Sequence, residues 1–429
     1  MRTACIIAEY HPFHNGHAYM AAQLHAMGYD VVIAAMSGNF VQRGTPALLP
    51  VQVRAEAALA CGVDLVLQLP CRTAAATAQR FAAAGVAAAV AAGADVLAFG
   101  AETPDIKTLQ QVTAALRDDR FAPLLKEQLN TGLPFHTARA NAAEQLYPGA
   151  AALLAQPNNI LAVEYIAALE TFAATGCHVP EPLPLPRLGA AHDGIPAQGI
   201  ASASWLRAQP PEQWENYVPE AALSLYRRAF AEGLALDAAR WECAALAQLR
   251  TRTRQELAAL PDATEGLDAL LHTAIRQSTS LEEIYTAVKS KRYAHARIRR
   301  LVLAAVLNWG FSFGDVPENI SKTVLNNTAA FPAGNDCTDL LRTACCNAGV
   351  PYLRVLGATA AGRQALAVLA GRSPVPVSPS LAELERQGST AAEAARCEAA
   401  AGDLYALCLR HPQPCGQEYR LPFLTGSKL

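Results

Sequence analysis

Continuous apolar runs and helical patterns alternate along the first hundred residues of the chain. Four apolar runs end in polar or turn-forming residues, as buried strands do, and they occupy 4–10, 30–37, 63–70 and 94–100. The stretches between these runs favour helices, at about 16–27, 54–62 and 73–92. Strands that alternate with helices form βαβ units, so the pattern predicts a parallel sheet with helices on both faces. Because such sheets bind ligands at the carboxyl ends of their strands, we expect the polar segments after the runs to meet at one edge.

The chain divides near residue 210. Before that point, residues 105–175 favour helices, and the Pro- and Gly-rich stretch 179–199 favours loop or extended chain. A helix then starts at ASASWLR (201–207), with Ser202 or Ser204 available as its N-cap. We therefore predict an α/β, Rossmann-like parallel-sheet domain at 1–210. Residues 211–429 favour a mainly α-helical region that contains a short strand at 352–357 and a long terminal helix at 380–409.

Composition narrows the class of protein. Hydrophobic residues make up 52% of the chain and the net charge is −2, so any contact with nucleic acid must use a local basic patch. The eleven cysteines include no CxxC pair, which favours reduced, mostly buried thiols over a zinc site. The chain begins with a strand pattern and has no signal-peptide pattern, and the Ala- and Gly-rich stretch 81–99 is interrupted by Asp95. We therefore expect a cytoplasmic protein without a membrane span.

The stretch EYHPFHNGHAYM (9–20) carries the strongest chemical signal. It places His14, Gly16 and His17 at the turn between the first strand and the first helix. The glycine leaves room for a ligand beside the backbone, and the start of a helix suits a phosphate. Two imidazoles at i and i+3 lie on one side of the first turn and could donate hydrogen bonds to phosphoryl oxygens as a nucleophile attacks the α-phosphorus. A metal site is one alternative, but two histidines without a third clear ligand make a poor zinc site, and a merely polar loop is the other alternative.

These motifs resemble a known enzyme family. HxGH after the first strand is the signature of the HIGH-type nucleotidyltransferase superfamily. ASASWLR is similar to its later motif ISSTxIR, with Ser202, Ser204 and Arg207 matching while Ala201 and Ala203 depart. At a finer level the chain resembles the bacterial tRNA(Met) cytidine acetate ligase family in EYHPFHNGH, MSGNFVQRG, RAEAALACGVDLVLQLP, FGAE, NNILAVEYIAAL, ASASWLR, SKRYAHARIRR and YLRVLG. It departs at His11, where asparagine is usual, and at Pro50, Val51 and Gln52, where Asp-Lys-Trp is usual.

The resemblance implies an activity and a set of site residues. The enzyme would use ATP, with Mg²⁺ on its phosphates, to activate acetate as acetyl-adenylate and would then acetylate N4 of the wobble cytidine of elongator tRNA(Met). The residues implied in catalysis are His14, His17, Ser204 and Arg207. The residues implied in ATP binding are Ile7, Ala8, Glu9, Tyr10, His11, Pro12, Phe13, His14, Asn15, Gly16, His17, Ala18, Tyr19, Met20, Gly100, Asn158 and Arg187.

Individual positions suggest specific roles, and two of them have structural alternatives. Gly100 ends the fourth strand, where a glycine lets adenosine lie against the backbone. Asn158 could contact the nucleotide or cap the following helix. Glu9 could orient a histidine or a magnesium-bound water, or it could be a structural hydrogen-bond acceptor. The turn at 37–43 could shape the acetate end of the site.

A basic stretch near the middle of the helical region is the candidate RNA contact. KSKRYAHARIRR (289–300) concentrates cations around Tyr293 and His295, a combination that suits a phosphate backbone and base stacking. From it we predict RNA-binding residues Lys291, Arg292, Arg297, Arg299 and Arg300. The alternative is a solvated helix face with short charge pairs.

Two other functions fit parts of the pattern. One is adenylyl transfer to a phosphorylated small molecule, although the long second half of the chain argues against it. The other is an RNA-binding protein with a non-catalytic nucleotide site, which the intact HNGH motif argues against. Pyrophosphate release from ATP, measured with acetate alone and with tRNA, tests the leading function. Release only with a phosphorylated small molecule favours adenylyl transfer, and tRNA binding without any ATP turnover favours the non-catalytic protein. The sequence leaves the oligomeric state open.

Overall fold

The strands of the computed structural model match the alternating pattern. The structure describes residues 1–187, 196, 199–264, 266–289, 293–309 and 337–426. Its strands are β1 (Thr3–Ala8), β2 (Val31–Ser37), β3 (Phe40–Val41), β4 (Thr45–Pro46), β5 (Leu65–Leu69), β6 (Val96–Ala101), β7 (Glu181–Pro186), β8 (Leu353–Ala358), β9 (Val377–Ser378) and β10 (Leu424–Thr425).

Helices fill most of the remaining described chain. Those before residue 210 are α1 (Asn15–Ala26), α2 (Val51–Ala60), α3 (Cys71–Ala74), α4 (Ala78–Ala91), α5 (Ile106–Arg117), α6 (Phe121–Asn130), α7 (Phe135–Leu146), α8 (Ala150–Leu154), α9 (Pro157–Ala173) and α10 (Ala203–Ala208). Those after it are α11 (Glu220–Ala231), α12 (Ala238–Thr251), α13 (Arg254–Ala258), α14 (Leu267–Gln277), α15 (Leu281–Val288), α16 (His295–Val306), α17 (Cys337–Asn347), α18 (Ala360–Ala370), α19 (Leu381–Glu385), α20 (Ser389–Leu407) and α21 (Gln417–Arg420), with a 3₁₀ turn at Pro211–Gln213. Among the residues described, no helix is both long and apolar enough to cross a membrane.

The main sheet has the order β10-β8-β5-β2-β1-β6-β7, and the five strands from β5 to β7 are parallel. The predicted Rossmann-like α/β fold is therefore confirmed. The chain runs outward from β1 through β2 to β5, and then returns to the other side of β1 with β6. In a sheet of this type, the crevice between β1 and β6 is where ligands bind. The turn after β1 carries HNGH, and β6 carries Gly100, so the topology places both candidate segments at that crevice.

The Pro-rich stretch, expected to be loop or extended chain, forms a paired strand over its first residues. Its prolines alternate (Pro182, Pro184, Pro186), so all the missing N–H groups fall on one side of β7. On the other side, the N–H of Glu181 donates to the carbonyl of Asp95, just before β6, at 2.9 Å, and the N–H of Arg187 donates to the carbonyl of Ala101 in β6 at 3.3 Å. An edge strand tolerates this arrangement because only one side needs donors, and the proline side resists addition of another strand.

The second part of the chain also builds this sheet. Strand β8 pairs antiparallel with β5, and β9 and β10 pair with β8. Helix α11 packs against α2, with Leu223 and Tyr226 in the same apolar cluster as Val32 of β2. The division near residue 210 stays a prediction, since these contacts join sequence regions on its two sides. A separate core is formed mainly by α12–α16 together with Phe40 and Tyr405.

Two sequence-based expectations, about the terminal helix and about the cysteines, differ from the structure. The terminal helix predicted at 380–409 is broken into α19 and α20, because Gly388 adopts φ +111°, which no helix residue can adopt. The cysteines are not all reduced, since Cys177 and Cys337 form a disulfide. Their sequence separation of 160 residues hides a proximity that only the fold creates. The other nine cysteines are free thiols.

A buried network of charged and amide groups connects Glu398 and Glu418, near the C-terminus, to the sheet. Arg354 on β8, which is 1% exposed, donates to Glu418 at 2.5 Å and to Gln68 at 2.9 Å. Glu418 also accepts from Asn39 at 2.8 Å, and Glu398 accepts from Gln68 at 2.7 Å. Burial and the neighbouring Glu418 raise the pKa of Glu398 to about 7. The guanidinium of Arg354 thus contacts the carboxyl group of Glu418 directly and that of Glu398 through Gln68. Loss of this one cation would therefore leave buried carboxyl groups without a positive partner.

We predict that Arg354→Met lowers the free energy of unfolding by about 3–5 kcal/mol, because it leaves Glu418 buried without its cation. The double variant Arg354→Met/Glu418→Gln removes both charges and should recover more than half of that loss. Urea denaturation monitored by circular dichroism measures both. Equal loss in the single and double variants would contradict the ionic origin of the effect.

Candidate active site at the carboxyl edge of the sheet

The HNGH turn is a helix cap built from its own histidines. His14 is the N-cap of α1, and its Nδ1 accepts the N–H of Gly16 at 3.1 Å. His17 reaches back, and its Nδ1 accepts the N–H of His14 at 3.2 Å. The two rings stack with centroids 3.7 Å apart, and Tyr10 and Phe13 enclose the ring of His17. This reciprocal cap fixes both imidazoles at the start of the helix.

The cap also fixes the tautomer of each ring. A backbone N–H can only donate, so Nδ1 of His14 and of His17 is unprotonated and the proton of each neutral ring lies on Nε2. Burial, with Arg187 and Arg207 nearby, lowers the pKa of His14 to about 3. Burial, with His14 and Arg187 nearby, holds the pKa of His17 well below its usual value. Both rings are therefore neutral hydrogen-bond donors at physiological pH, not cations.

Gly100 and Arg187 lie together on the other side of the crevice. A Cβ atom added to Gly100 would lie 3.2 Å from Cγ of Arg187 and 3.4 Å from Cε of Met20. The side chain of Arg187 thus covers the strand end, and its charge acts on both histidines. The structure therefore brings Met20, Gly100 and Arg187 to the HNGH turn, although they come from three elements of the fold.

The second motif joins the site through Arg207. Its Nη1 donates to the carbonyl of His11 at 2.6 Å, which ties α10 to the segment before HNGH. Ser202 is the N-cap of α10 and accepts the N–H of Trp205 at 3.2 Å, as predicted for one of the two serines. The Oγ atoms of Ser202 and Ser204 are 3.0 Å apart. The serines thus lie one turn before Arg207, at the start of the same helix.

Other residues of the 7–20 segment hold it in place. Ile7 and Ala8 end β1, and Ala18 and Tyr19 belong to the first turns of α1. The buried His11, whose peptide bond to Pro12 is cis, accepts the N–H of Leu48 at 3.4 Å, and its pKa is lowered mainly by burial.

Asn15 and Gly16 have contacts of their own. The Asn15 amide donates to the carbonyls of Gly199 and Asn216 at 2.9 and 3.1 Å, a structural use of that side chain. A Cβ on Gly16 would lie 3.0 Å from the His14 ring, so this glycine makes room for the stacked imidazole.

Asn158 lies beside the end of β6 but is held by an acid. Its amide donates to Glu102 at 2.5 Å, and the other Glu102 oxygen accepts the N–H of Asn159 at 2.9 Å. Glu102 therefore caps α9, and Asn158 belongs to that cap. Its assignment to the nucleotide stays a prediction.

Arg54 is the site residue that our sequence reasoning missed. It is fully buried on α2, and its guanidinium donates to the carbonyls of Leu49 (3.0 Å), Glu9 (2.6 Å), Ser37 (3.1 Å) and Gly38. It joins the ends of β1 and β2 just where the candidate site begins. The available signal was an arginine one position from Val53 and Ala55 on a helix that otherwise buries small apolar residues.

Glu9 has the structural role that was one of its two expected roles. Its Oε1 accepts the N–H of Gln42 at 2.7 Å and so holds the hairpin formed by β3 and β4. This hairpin overlaps the segment 37–43, which we predicted to shape the acetate end of the site. In this turn, the side-chain amide of Asn39 donates to Glu418, and its Oδ1 accepts the N–H of Val51. Part of the turn therefore has structural partners.

Residues 295–300 of the basic stretch lie on α16. Arg297 donates to the carbonyl of Asp262 at 3.2 Å and to Thr264 Oγ1 at 2.8 Å, and its guanidinium lies 4.9 Å from the Tyr293 ring centroid. Arg299 lies 5.6 Å from the Tyr285 ring centroid. Burial lowers the pKa of Arg300. Lys291 and Arg292 lie outside the described residues, and the RNA-binding role of all five residues stays a prediction.

Metal coordination by protein side chains is not evident in the part of the chain that the structure describes. No group of three or more His, Cys, Asp or Glu side chains there is arranged to hold a metal ion. The histidine pair of HNGH uses both Nδ1 atoms for backbone hydrogen bonds, which leaves only protonated Nε2 atoms. The zinc alternative is therefore not supported by these residues.

Comparison with known proteins agrees with this geometry. The family model described as HIGH Nucleotidyl Transferase matches residues 1–321. The tRNA(Met) cytidine acetate ligase of Syntrophotalea carbinolica is 34% identical over 90% of this chain and 87% of its own length, and that of Pediococcus pentosaceus is 35% identical over 76% and 83%. The crystal structure of Thermotoga maritima TmcAL bound with alpha-thio ATP superposes with a TM-score of 0.82 at 26% identity, covering 99% of this chain and 100% of that one. The chain therefore belongs to the HIGH nucleotidyltransferase family and, within it, to the tRNA(Met) cytidine acetate ligase family.

Proposed function

We propose that the protein uses ATP to activate acetate as acetyl-adenylate and then acetylates N4 of the wobble cytidine of elongator tRNA(Met). The observation that carries this proposal is the stacked pair of imidazoles at the crevice between β1 and β6, each of which accepts a backbone N–H group at Nδ1 and so leaves Nε2 for a ligand. The names of the relatives supply the substrates, and the fold supplies the place where ATP would bind. The residues implied for ATP, including His14, His17, Gly100 and Arg187, meet at this one edge.

Adenylation needs charge stabilisation more than it needs a protein nucleophile. An acetate oxygen attacks the α-phosphorus, a new O–P bond forms, and the bond to the pyrophosphate breaks in line with it. Negative charge grows on the phosphoryl oxygens, and the Nε2–H groups of His14 and His17 are donors fixed in advance for those oxygens. Neutral donors suit this task because they keep their proton throughout the reaction. Arg187 and Arg207 add positive charge on the two sides of the turn.

Magnesium belongs to this proposal as a partner of the nucleotide. When bound, Mg²⁺ would neutralise charge on the β- and γ-phosphates, and the phosphates themselves would provide its ligands. The side chains that would face the magnesium-bound nucleotide are donors for phosphate, namely the imidazoles of His14 and His17 and the guanidinium group of Arg187.

In the second half-reaction, N4 of the cytidine attacks the acetyl carbonyl, AMP leaves, and N4 loses a proton. The adenylate is already a reactive acyl donor, so positioning is the main requirement. The basic residues of α16 lie next to the β3–β4 hairpin, whose Gln42 is held by Glu9 at the end of β1. The candidate RNA surface is thus connected to the edge where the adenylate would form.

Incubation of the protein with ATP, labelled acetate and a tRNA(Met) transcript should place label on one cytidine, detected by mass analysis of the nucleosides. Acetate should also stimulate exchange of pyrophosphate into ATP. Pyrophosphate formation only with a phosphorylated small molecule would favour simple adenylyl transfer instead. RNA binding without any turnover of ATP would indicate a non-catalytic nucleotide site.

At His17, we predict that alanine lowers kcat/KM for acetate-dependent pyrophosphate exchange by about 100- to 1,000-fold, as loss of one fixed donor does elsewhere. His17→Gln keeps an N–H near the position of Nε2, and it should retain much more activity because the donor, not a positive charge, is needed. Equal losses in the two variants would contradict the neutral-donor role. As a control, histidine NMR signals of the wild type should remain those of the neutral ring for His14 and His17 between pH 5 and 8.

Replacement of Arg297, Arg299 and Arg300 by alanine should weaken RNA binding and reduce the slope of log Kd against log salt by up to about 2. The reason is that fewer counterions are released from the RNA on binding when fewer phosphates are contacted. Filter binding at several salt concentrations measures the slope. The matched control replaces three exposed arginines elsewhere, Arg120, Arg372 and Arg386, and makes the same change in net charge. An equal slope in both triple variants would remove α16 from the RNA interface.

A further inference from the structure

The hairpin at residues 40–46 is anchored in the helical core at its base. Phe40 is fully buried there, with its ring centroid 5.9 Å from Trp241 of α12 and 6.1 Å from Tyr405 of α20. Tyr405 also donates from its hydroxyl group to the carbonyl of Ala47 at 2.8 Å. A segment that leaves the carboxyl end of β2 therefore packs as part of the α12–α16 core.

The tip of the hairpin touches the backbone of α16. Gly44 has φ +75°, and a Cβ atom there would lie 2.5 Å from the amide nitrogen of Arg300 and 2.7 Å from the carbonyl carbon of Arg299. Backbone atoms cannot move aside as a side-chain end can. The glycine therefore permits an approach of hairpin to helix that no other residue type would allow.

The same hairpin holds the start of the nucleotide segment. The N–H of Gln42, two residues before Gly44, donates to Glu9 Oε1 at 2.7 Å. Glu9 follows β1 and leads directly into the HNGH turn, and its carbonyl accepts from Arg54. A single residue of the hairpin, Arg43, thus separates the residue that contacts α16 from the residue that contacts the ATP segment.

We propose that this hairpin couples the two ligands, so that RNA bound on α16 and ATP with acetate bound at the HNGH turn change each other's affinity. The inference rests on the proposed function and adds to it a route of communication. The physical reason is that a shift of α16 must displace Gly44, which touches the backbone of Arg299 and Arg300, and the short link from Gly44 to Gln42 carries that movement to Glu9. Coupling of this kind is reciprocal by thermodynamic necessity.

The test measures four dissociation constants for the full-length protein. They are those of a tRNA(Met) transcript with and without a nonhydrolysable ATP analogue plus acetate, and those of the analogue plus acetate with and without the transcript. In the wild type, each ligand should change the affinity of the other by the same factor, about fivefold or more. A factor of one, with both ligands bound, overturns the proposal.

Gly44→Ala should bring that factor to one while each ligand alone still binds measurably. The matched control is Gly132→Ala, because Gly132 has a similar φ of +83° and an added Cβ there would meet no atom within 4 Å. It should keep the wild-type factor. A coupled Gly44→Ala variant would overturn the proposal, as would an uncoupled Gly132→Ala variant.

If Gly44→Ala does not fold, as judged by its thermal unfolding, Phe40→Leu replaces it, since leucine preserves an apolar anchor but loses contact with the rings of Trp241 and Tyr405. It should also reduce the factor. Cytidine acetylation by the wild type is measured in parallel. Acetylation with a coupling factor of one rejects only the hairpin proposal, whereas failure to bind either ligand rejects the proposed function as well.

Discussion

The buried guanidinium of Arg54 is the interaction on which the candidate site depends. An arginine in a core is costly to desolvate, and that cost is met only when the charged group is fully hydrogen-bonded. Here backbone carbonyls supply the acceptors, and they come from Leu49, Glu9, Ser37 and Gly38. The ends of β1 and β2 are thereby joined at fixed positions, so that the HNGH turn and the 37–43 turn leave the sheet from a single rigid point.

From this point, local and distant contacts build a site of fixed donors. The reciprocal histidine cap is local, because all its atoms come from His14–His17. The groups that surround it are distant in sequence: Arg187 from the edge of β7, Arg207 from α10, and Tyr226, whose hydroxyl oxygen accepts the N–H of Phe13 at 2.9 Å. Burial by these neighbours is what keeps both imidazoles neutral. In an exposed HNGH turn, each histidine would have a pKa near the usual value for an imidazole. Its ring would then exist as a mixture of neutral and cationic forms near neutral pH.

The C-terminal residues also contact segments near this edge. Glu418 and Glu398, with Arg354, reach Asn39, Gln68 and the N–H of Cys71. The hairpin at 40–46 then reaches from this edge to α16. The helical region is therefore more than a platform beside the sheet, since it contributes strands, a buried ionic network and the packing of Phe40. These contacts also explain why a boundary near residue 210 describes the sequence pattern better than it describes the packing.

The sequence by itself determined the parallel sheet and the chemistry of the first turn. Uninterrupted apolar runs can only be satisfied by burial on both faces, and a helix that begins at HNGH must place its histidines where its free N–H groups point. It could not determine β7, because prolines exclude a strand unless an edge position is free, and only the assembled sheet creates that edge. It could not determine the role of Arg54 or the disulfide between Cys177 and Cys337, since both depend on partners brought together from afar. The tertiary structure also decided the protonation of the histidines, because a pKa is set by burial and by neighbouring charges that the local motif does not contain.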